Sequence, residues 1–144
     1  MEYSDKGYAL TQEFEGLRLE AYQDQGGKWT IGYGHTGPDV YRGLSISAEE
    51  AIALLKQDVQ MAIATVSRLV TIPITQNQFD ALVDFTFNLG EGNFASSTLL
   101  RRVNVGNDID AAREFLRWDY VAGEHNAGLA RRREAESQMF KGAI

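Results

Sequence analysis

Residues Trp29–Gly37 read WTIGYGHTG, and this stretch decides how the chain is interpreted. It contains Gly32, Gly34 and Gly37 at the spacing of a dinucleotide-binding loop, G-x-G-x-x-G. Such a loop must follow a buried strand and open a helix, whereas here Gly37 is followed by Pro38 and a further turn. The context therefore disfavours phosphate binding and favours the returning strand of a β-hairpin.

The composition indicates one globular domain. The chain has 144 residues, of which 44% are hydrophobic and 24% are charged. Its net charge of −6 lacks the basic footprint of a nucleic-acid-binding protein. Without cysteine, disulfides and cysteine-ligated zinc sites are excluded. The sequence shows neither a signal-peptide pattern nor an apolar run long enough for a membrane span, so we expect no stable membrane association. We also expect a monomer.

The N-terminal part of the chain predicts a helix followed by a small sheet. Ser4 is a suitable N-cap, and Gly16 is a natural stop for the helix that follows it. Between residues 17 and 45, short runs with strand character alternate with glycine-rich turns. This alternation predicts a small, twisted antiparallel sheet.

After residue 47 the patterns predict helices only. Ser47 and Glu50 form a capping-box signature in front of a long amphipathic segment, and Thr75 and Gln78 repeat that signature. The second of these helices is the most apolar one, and we expect it to form the centre of a helical core. The shorter helices are predicted over Ser96–Asn104, Asp108–Trp118 and Leu129–Phe140.

Three residues around the predicted hairpin are candidates for acid–base chemistry. Glu15 lies in the last turn of the first helix, where the negative helix end and shielding would both favour a protonated carboxyl group. Asp24 lies in the turn between two strands, where a solvated carboxylate could orient or deprotonate a water molecule; the alternative is a simple Asx turn. The hydroxyl of Thr30 could face Asp24 across the hairpin, although threonine is also a common strand residue.

Taken together, these residues carry a family resemblance. The segment EGLRLEAYQDQGGKWTIGYGHTG resembles the signature of the phage-type lysozymes, glycoside hydrolase family 24, in which E-x8-D-x5-T is followed by IGxGH. Glu15, Asp24 and Thr30 meet each spacing. ISAEEAIALLKQDV, TQNQFDALVDFTFNLG, STLLRRVN and GLARRREAE look like later segments of the same family, so the resemblance covers about residues 8 to 141.

The resemblance implies an α+β, lysozyme-like fold. A small antiparallel β lobe of about residues 17–46 and a helical lobe of residues 1–16 and 47–144 would form a single domain. A long helix would join the two lobes, and the active site would lie in the cleft between them. The implied activity is that of a muramidase, which cleaves the β-1,4 bond between N-acetylmuramic acid and N-acetylglucosamine in peptidoglycan.

The resemblance also implies catalytic roles. Glu15 would protonate the glycosidic oxygen, while Asp24 and Thr30 would position the attacking water. This arrangement matches an inverting outcome if the two carboxyl groups are about 6.5–9.5 Å apart, whereas about 5–5.5 Å would imply retention. No metal ion or organic cofactor is expected.

Further residues are candidates for supporting or substrate-binding roles. By alignment to the family's RRxxE motif, Arg132, with Arg133 second, is expected to orient Glu15, so that Arg132→Ala would cost stability and activity. His35 is expected to play a structural part by pairing with Asp58. Tyr33 and Gly34 are candidate substrate-binding residues beside the cleft, although a tyrosine in a half-buried hairpin is more often part of the core, and the same holds for Tyr22.

The resemblance places the protein in phage lysis. It implies an endolysin that accumulates in the host cytoplasm, is released through holin lesions and then cuts glycan strands of the cell wall. A different hypothesis is a muramidase-like module of a bacterial protein that binds glycan without hydrolysing it. Loss of the aspartate or the threonine would favour this second hypothesis, and here both residues are present.

Overall fold

The computed structural model describes residues 1–143, which contain seven α-helices, one 3₁₀ turn and five short strands. The elements form two compact units, one of residues 9–60 and one of residues 1–8 and 61–143. The predicted single domain and its lobe limits stay a prediction. In chain order the elements are α1 (Asp5–Glu15), β1 (Arg18–Gln23), β2 (Trp29–Gly32), β3 (His35–Thr36), α2 (Ala48–Leu69), α3 (Gln76–Leu89), α4 (Glu91–Ala95), α5 (Thr98–Asn104), α6 (Asp108–Glu114), the 3₁₀ turn (Phe115–Arg117), β4 (Tyr120–Val121), β5 (Glu124–His125) and α7 (Ala127–Phe140).

The unit of residues 9–60 contains the predicted antiparallel sheet. Its strand order is β1-β2-β3, and Thr30 lies opposite Tyr22 on one side and Thr36 on the other. The edge of β1 that faces away from β2 is bonded to the segment before α2, where the amide of Ala21 donates to the carbonyl of Leu44. The pairing of Gln23 with Trp29 closes the loop between β1 and β2, residues 24–28.

The helix ends follow the predicted caps. The hydroxyl of Ser4 accepts the amide of Gly7 at 3.2 Å, and α1 ends before Gly16, whose φ of +73° favours glycine. At the start of α2, the side chains of Ser47 and Glu50 each accept the other's amide at 3.1 Å, which is a complete capping box. Thr75 and Gln78 form the same arrangement at the start of α3.

The second unit packs around α3. Phe79, Leu82, Val83 and Phe85 are buried on this helix, as its apolar composition predicts. The ring of Phe85 makes edge-to-face contacts with three other aromatic rings, at centroid distances between 5.5 and 6.2 Å; these rings belong to Phe94, Phe115 and Trp118. Such contacts add to the burial of the rings, so α3 is the centre of the helical core.

Charged side chains are buried between α3 and α7. Arg132 is bound to both carboxylate oxygens of Asp84, at 3.0 Å from Nε and 2.9 Å from Nη2. Arg133 donates from Nη2 to Glu136 at 2.9 Å. Burial raises the pKa of Glu136 well above its usual range, and a hydrogen bond to Asp84 raises it further, against the charges of the two arginines. The buried pair of carboxyl groups, Asp84 and Glu136, thus faces the two arginines within one helix interface.

One element after residue 47 departs from the prediction of helices only. Residues 120–125 form a small hairpin, in which β4 pairs with β5 across Ala122 and Gly123. Both turn residues have positive φ, +51° and +83°, as a tight hairpin turn requires. The two strands have only two residues each, so they carry no alternating pattern that could have predicted them.

Candidate active site

Glu15 is the last residue of α1 and is half-buried. Its carboxyl group lies against the turn between β2 and β3, so closely that a Cβ on Gly34 would be 2.9 Å from Oε1 of Glu15. Gly34 also has a φ of +86°, which glycine adopts without strain. Any other residue here would strain the backbone and displace the Glu15 carboxyl group.

Asp24 begins the loop between β1 and β2 and is exposed. Its Oδ1 accepts the amides of Gly26 at 2.9 Å and Lys28 at 2.8 Å, which is the Asx turn that the sequence analysis held open. Within residues 1–143, Oδ2 has no hydrogen-bond partner. The turn thus fixes the carboxylate through one oxygen and presents the other, so an Asx turn and a role in binding water are compatible.

Thr30 is buried on β2, with 4% of its surface exposed. Its hydroxyl donates to the carbonyl of Lys28 at 3.0 Å, and the same carbonyl accepts the amide of Asp24 at 2.9 Å. The main chain of Lys28 therefore holds both candidate water-binding groups. Because the hydroxyl proton of Thr30 is used by this carbonyl, its lone pairs can accept a hydrogen bond from water.

Tyr33 is the one residue between the two glycines of the β2–β3 turn and is half-buried. Its hydroxyl accepts a hydrogen bond from Nε2 of Gln12 on α1, at 3.1 Å. Tyr22 lies under the guanidinium group of Arg18, at 4.4 Å from the ring centre. Substrate binding by Tyr33 and Gly34 stays a prediction.

His35 is buried on β3 and bridges two carboxylates. Its Nδ1 lies 2.8 Å from Asp58 on α2, the partner that the sequence analysis proposed, and its Nε2 lies 2.9 Å from Asp39. Burial lowers the pKa of the imidazole, but the hydrogen bonds and charges of Asp58 and Asp39 raise it by more, so the net pKa lies above the ordinary value. The hydrogen bond to His35 in turn lowers the pKa of Asp39. The supporting role of His35 and Asp58 stays a prediction.

The ion pairs of His35 make the effect of its replacement pH-dependent. The pKa of His35 is higher in the folded protein than in the unfolded chain, where it is about 6.5, so protonation of His35 stabilises the fold. This stabilisation is complete below the pKa of the unfolded chain and is lost as pH rises through the pKa of the folded protein. The lowered pKa of Asp39 stabilises the fold above an unfolded value of about 3.9. We therefore expect His35→Asn to lower the free energy of unfolding most between about pH 4 and 6.5, by about 1.5–3 kcal/mol for the charged bond to Asp58.

Chemical denaturation of both proteins across pH 4–9 measures this difference. His125→Asn is the matched control, because His125 is also bonded to an aspartate, Asp119, but has a 70% exposed side chain. An exposed pair contributes about 0–1 kcal/mol. A destabilisation by His35→Asn that grows above pH 7 would contradict the ion-pair interpretation.

Arg132 and Arg133 belong to the unit of residues 61–143, whereas Glu15 belongs to the other. The structure gives Arg132 a defined partner in its own unit, Asp84, and gives Arg133 the side chains of Asn88 and Glu136. Asp84 was not anticipated as a partner of Arg132. The predicted orientation of Glu15 by Arg132 stays a prediction.

Some contributors to the site carry no recognisable signal in the sequence. They are the main chain of Lys28, the side chain of Gln12 and the second carboxylate on His35, Asp39. Within residues 1–143, no group of three or more histidine and acidic side chains is arranged to hold a metal ion. In the same part of the chain, no helix has the length and apolarity to cross a membrane.

The chain is similar to known proteins along nearly its full length. A family model described as phage lysozyme matches residues 12–136. An endolysin of Acyrthosiphon pisum secondary endosymbiont phage 1 is 42% identical, over 99% of this chain and 100% of the relative. An endolysin of Bacillus phage B103 is 46% identical over 97% of this chain, which spans 54% of that relative's length. Among solved structures, an endolysin from Escherichia coli O157:H7 phage FAHEc1 has a TM-score of 0.95 and 38% identity, covering 100% of this chain and 96% of that one.

Proposed function

Because the chain belongs to the phage lysozyme family, we propose that it cuts the β-1,4 bond between N-acetylmuramic acid and N-acetylglucosamine with Glu15, Asp24 and Thr30. It has the lysozyme-like fold, with a helical majority and a small antiparallel sheet. It is an endolysin-type enzyme that lyses peptidoglycan, and its place of action is the cell wall. The residues that perform the reaction and the stereochemistry are the proposal.

The observation that carries the proposal is the shared anchoring of Asp24 and Thr30 by the main chain of Lys28. A water molecule that donates one hydrogen to Oδ2 of Asp24 and the other to Oγ1 of Thr30 would have its lone pair directed away from both groups. Such a water is oriented for attack on a sugar carbon. The hydrogen bonds within the loop keep both acceptors in place before the substrate arrives.

In the proposed reaction one carboxyl group donates a proton and the other accepts one. The carboxylic acid of Glu15 gives its proton to the glycosidic oxygen as the bond to the anomeric carbon of N-acetylmuramic acid breaks. The held water attacks the opposite face of that carbon, and its proton passes to Asp24. Because the water attacks directly, the configuration of the anomeric carbon is inverted.

Analysis of the products that the protein releases from purified peptidoglycan tests this function. We expect new reducing ends that carry N-acetylmuramic acid, and early NMR spectra that show the α-anomer, since the bond cleaved is β. New reducing ends on N-acetylglucosamine, or freed peptides with intact glycan, would contradict a muramidase. An initial β-anomer would leave the muramidase standing but overturn the direct attack of water.

The route to the cell wall and the oligomeric state stay predictions of the sequence analysis. We propose synthesis in the host cytoplasm, holin-mediated release and action as a monomer. The alternative of the sequence analysis, binding of glycan without hydrolysis, does not agree with the membership of the phage lysozyme family. The same product assay separates the two, since a binding module would retain peptidoglycan without creating reducing ends.

A further inference from the structure

The β2–β3 turn lies against Glu15, and the pairing of Ile31 with His35 closes its base. Tyr33 stands between Gly32 and Gly34, whose φ values of +66° and +86° are typical of glycine. Glycine has the largest conformational freedom in an unconstrained chain. The strand that follows the turn, β3, has only two residues. Beyond the strand pairing at its base, the side chain of Tyr33 gives the tip of this turn a contact with another element.

That contact comes from the helix that carries Glu15. Gln12 and Glu15 are three residues apart on α1, which places them on the same face, one turn from each other. Gln12 donates to the hydroxyl of Tyr33 at 3.1 Å, while the carboxyl group of Glu15 lies against the next residue of the turn, Gly34. Two successive positions on the helix face thus meet two successive positions in the turn.

We propose that Gln12 and Tyr33 form a positioning pair that holds the β2–β3 turn against the carboxyl group of Glu15. The inference rests on the proposed role of Glu15 as the general acid. Both side chains of the pair are half-buried. The turn closes one side of the Glu15 carboxyl group, so its position decides how that group is oriented toward the glycosidic oxygen.

The neutrality of the pair suits this role. A general acid must hold its proton until the bond breaks, and a charge one helical turn away would disturb that proton. An amide and a phenol form a hydrogen bond without introducing a charge. Gln12 and Tyr33 can therefore fix the turn without acting on the proton of Glu15, which a lysine–tyrosine or glutamate–tyrosine pair could not do.

The test measures kcat and KM on soluble, uncrosslinked glycan strands for Tyr33→Phe, Gln12→Met and the double variant. Each single change removes the hydrogen bond and keeps most of the side-chain volume. We expect kcat to fall about three- to tenfold, since the net value of a neutral hydrogen bond corresponds to roughly a fivefold change in rate. KM should stay within about twofold, because the pair acts through Glu15. The double variant should lose no more than either single one, since all three lack the same bond.

Tyr41→Phe is the matched control, because Tyr41 is an exposed tyrosine in the same unit and its change should leave kcat and KM unaltered. All rates are measured well below the melting temperature of the least stable variant, so that unfolding cannot account for a loss. The proposal is overturned if either single variant keeps the wild-type kcat, if KM rises in place of a fall in kcat, or if the losses multiply in the double variant.

A parallel Glu15→Gln variant separates this outcome from a failure of the proposed function. If Glu15→Gln is inactive while Tyr33→Phe and Gln12→Met are fully active, the general acid stands and the positioning pair is wrong. If Glu15→Gln keeps the wild-type rate, the proposed role of Glu15 fails, and the positioning pair fails with it.

Discussion

Glu15→Gln is expected to reduce the rate of peptidoglycan cleavage by about 100- to 10,000-fold, the range that general acid–base catalysis contributes. Glutamine has nearly the shape of glutamic acid, but its amide cannot transfer a proton to the glycosidic oxygen. The amide also fits beside Gly34, so the turn need not move. The melting temperature should therefore change little while the activity is lost. The rate of clearing of outer-membrane-permeabilised Gram-negative cells measures the effect.

Glu13→Gln provides a control of the same chemistry. Glu13 is exposed on α1, two residues before Glu15, and its replacement is the same change of side chain, with at least as large a change of helix charge. We expect Glu13→Gln to clear cells at nearly the wild-type rate. If both variants lost activity equally, the cause would be the charge of the helix rather than the loss of a proton donor. A Glu15→Gln variant with more than a tenth of the wild-type rate would exclude Glu15 as the general acid.

Arg132→Ala is expected to lower the free energy of unfolding by about 3–5 kcal/mol, the cost of leaving a buried charge without its partner. Asp84 is completely buried and receives two hydrogen bonds from Arg132. Its buried neighbour Glu136 is a carboxyl group and supplies no positive charge in place of the lost guanidinium group. Equilibrium unfolding in urea at neutral pH measures the loss, and the melting temperature should fall by roughly 10 °C or more.

Arg131→Ala is the matched control, because Arg131 is the preceding residue of α7 and is exposed. Its replacement should change the free energy of unfolding by no more than about 0.5 kcal/mol. Equal effects of the two substitutions, or a loss below about 1 kcal/mol for Arg132→Ala, would show that the pair with Asp84 does not stabilise the core. The lytic rate, measured below the melting temperature of the variant, tests the separate prediction that Arg132 serves the active site.

Local sequence patterns were sufficient to predict the helix ends that carry a recognisable capping residue. Ser4, Ser47 and Thr75 each begin a helix, because a side-chain oxygen next to the first turn satisfies an amide that the helix leaves free. Gly16 ends α1 for the equally local reason that its φ is positive. The hairpin at residues 120–125 was missed, because its strands are too short to show a period.

For the candidate active site, too, some features were visible in the sequence and others were not. The spacing of Glu15, Asp24 and Thr30 was visible in the sequence, because a helix end and the adjacent hairpin bring these three positions into one unit. The long-range partners in the two units were not visible. In the unit of Glu15, the bond from Gln12 to Tyr33 joins residues 21 positions apart. In the other unit, the bond from Arg132 to Asp84 joins residues 48 positions apart.

The sequence by itself therefore determined the starts of α1, α2 and α3, the end of α1, the first hairpin and the family, because each depends on caps, turns and spacings within a short segment. Only the tertiary structure decided which neighbours orient the chemistry: the Lys28 main chain for Asp24 and Thr30, Gln12 for the turn beside Glu15, and Asp39 as the second carboxylate on His35. The physical reason is that a hydrogen bond needs its two atoms within about 3 Å. A spacing along the chain does not specify such a distance until the packing of the elements has set it.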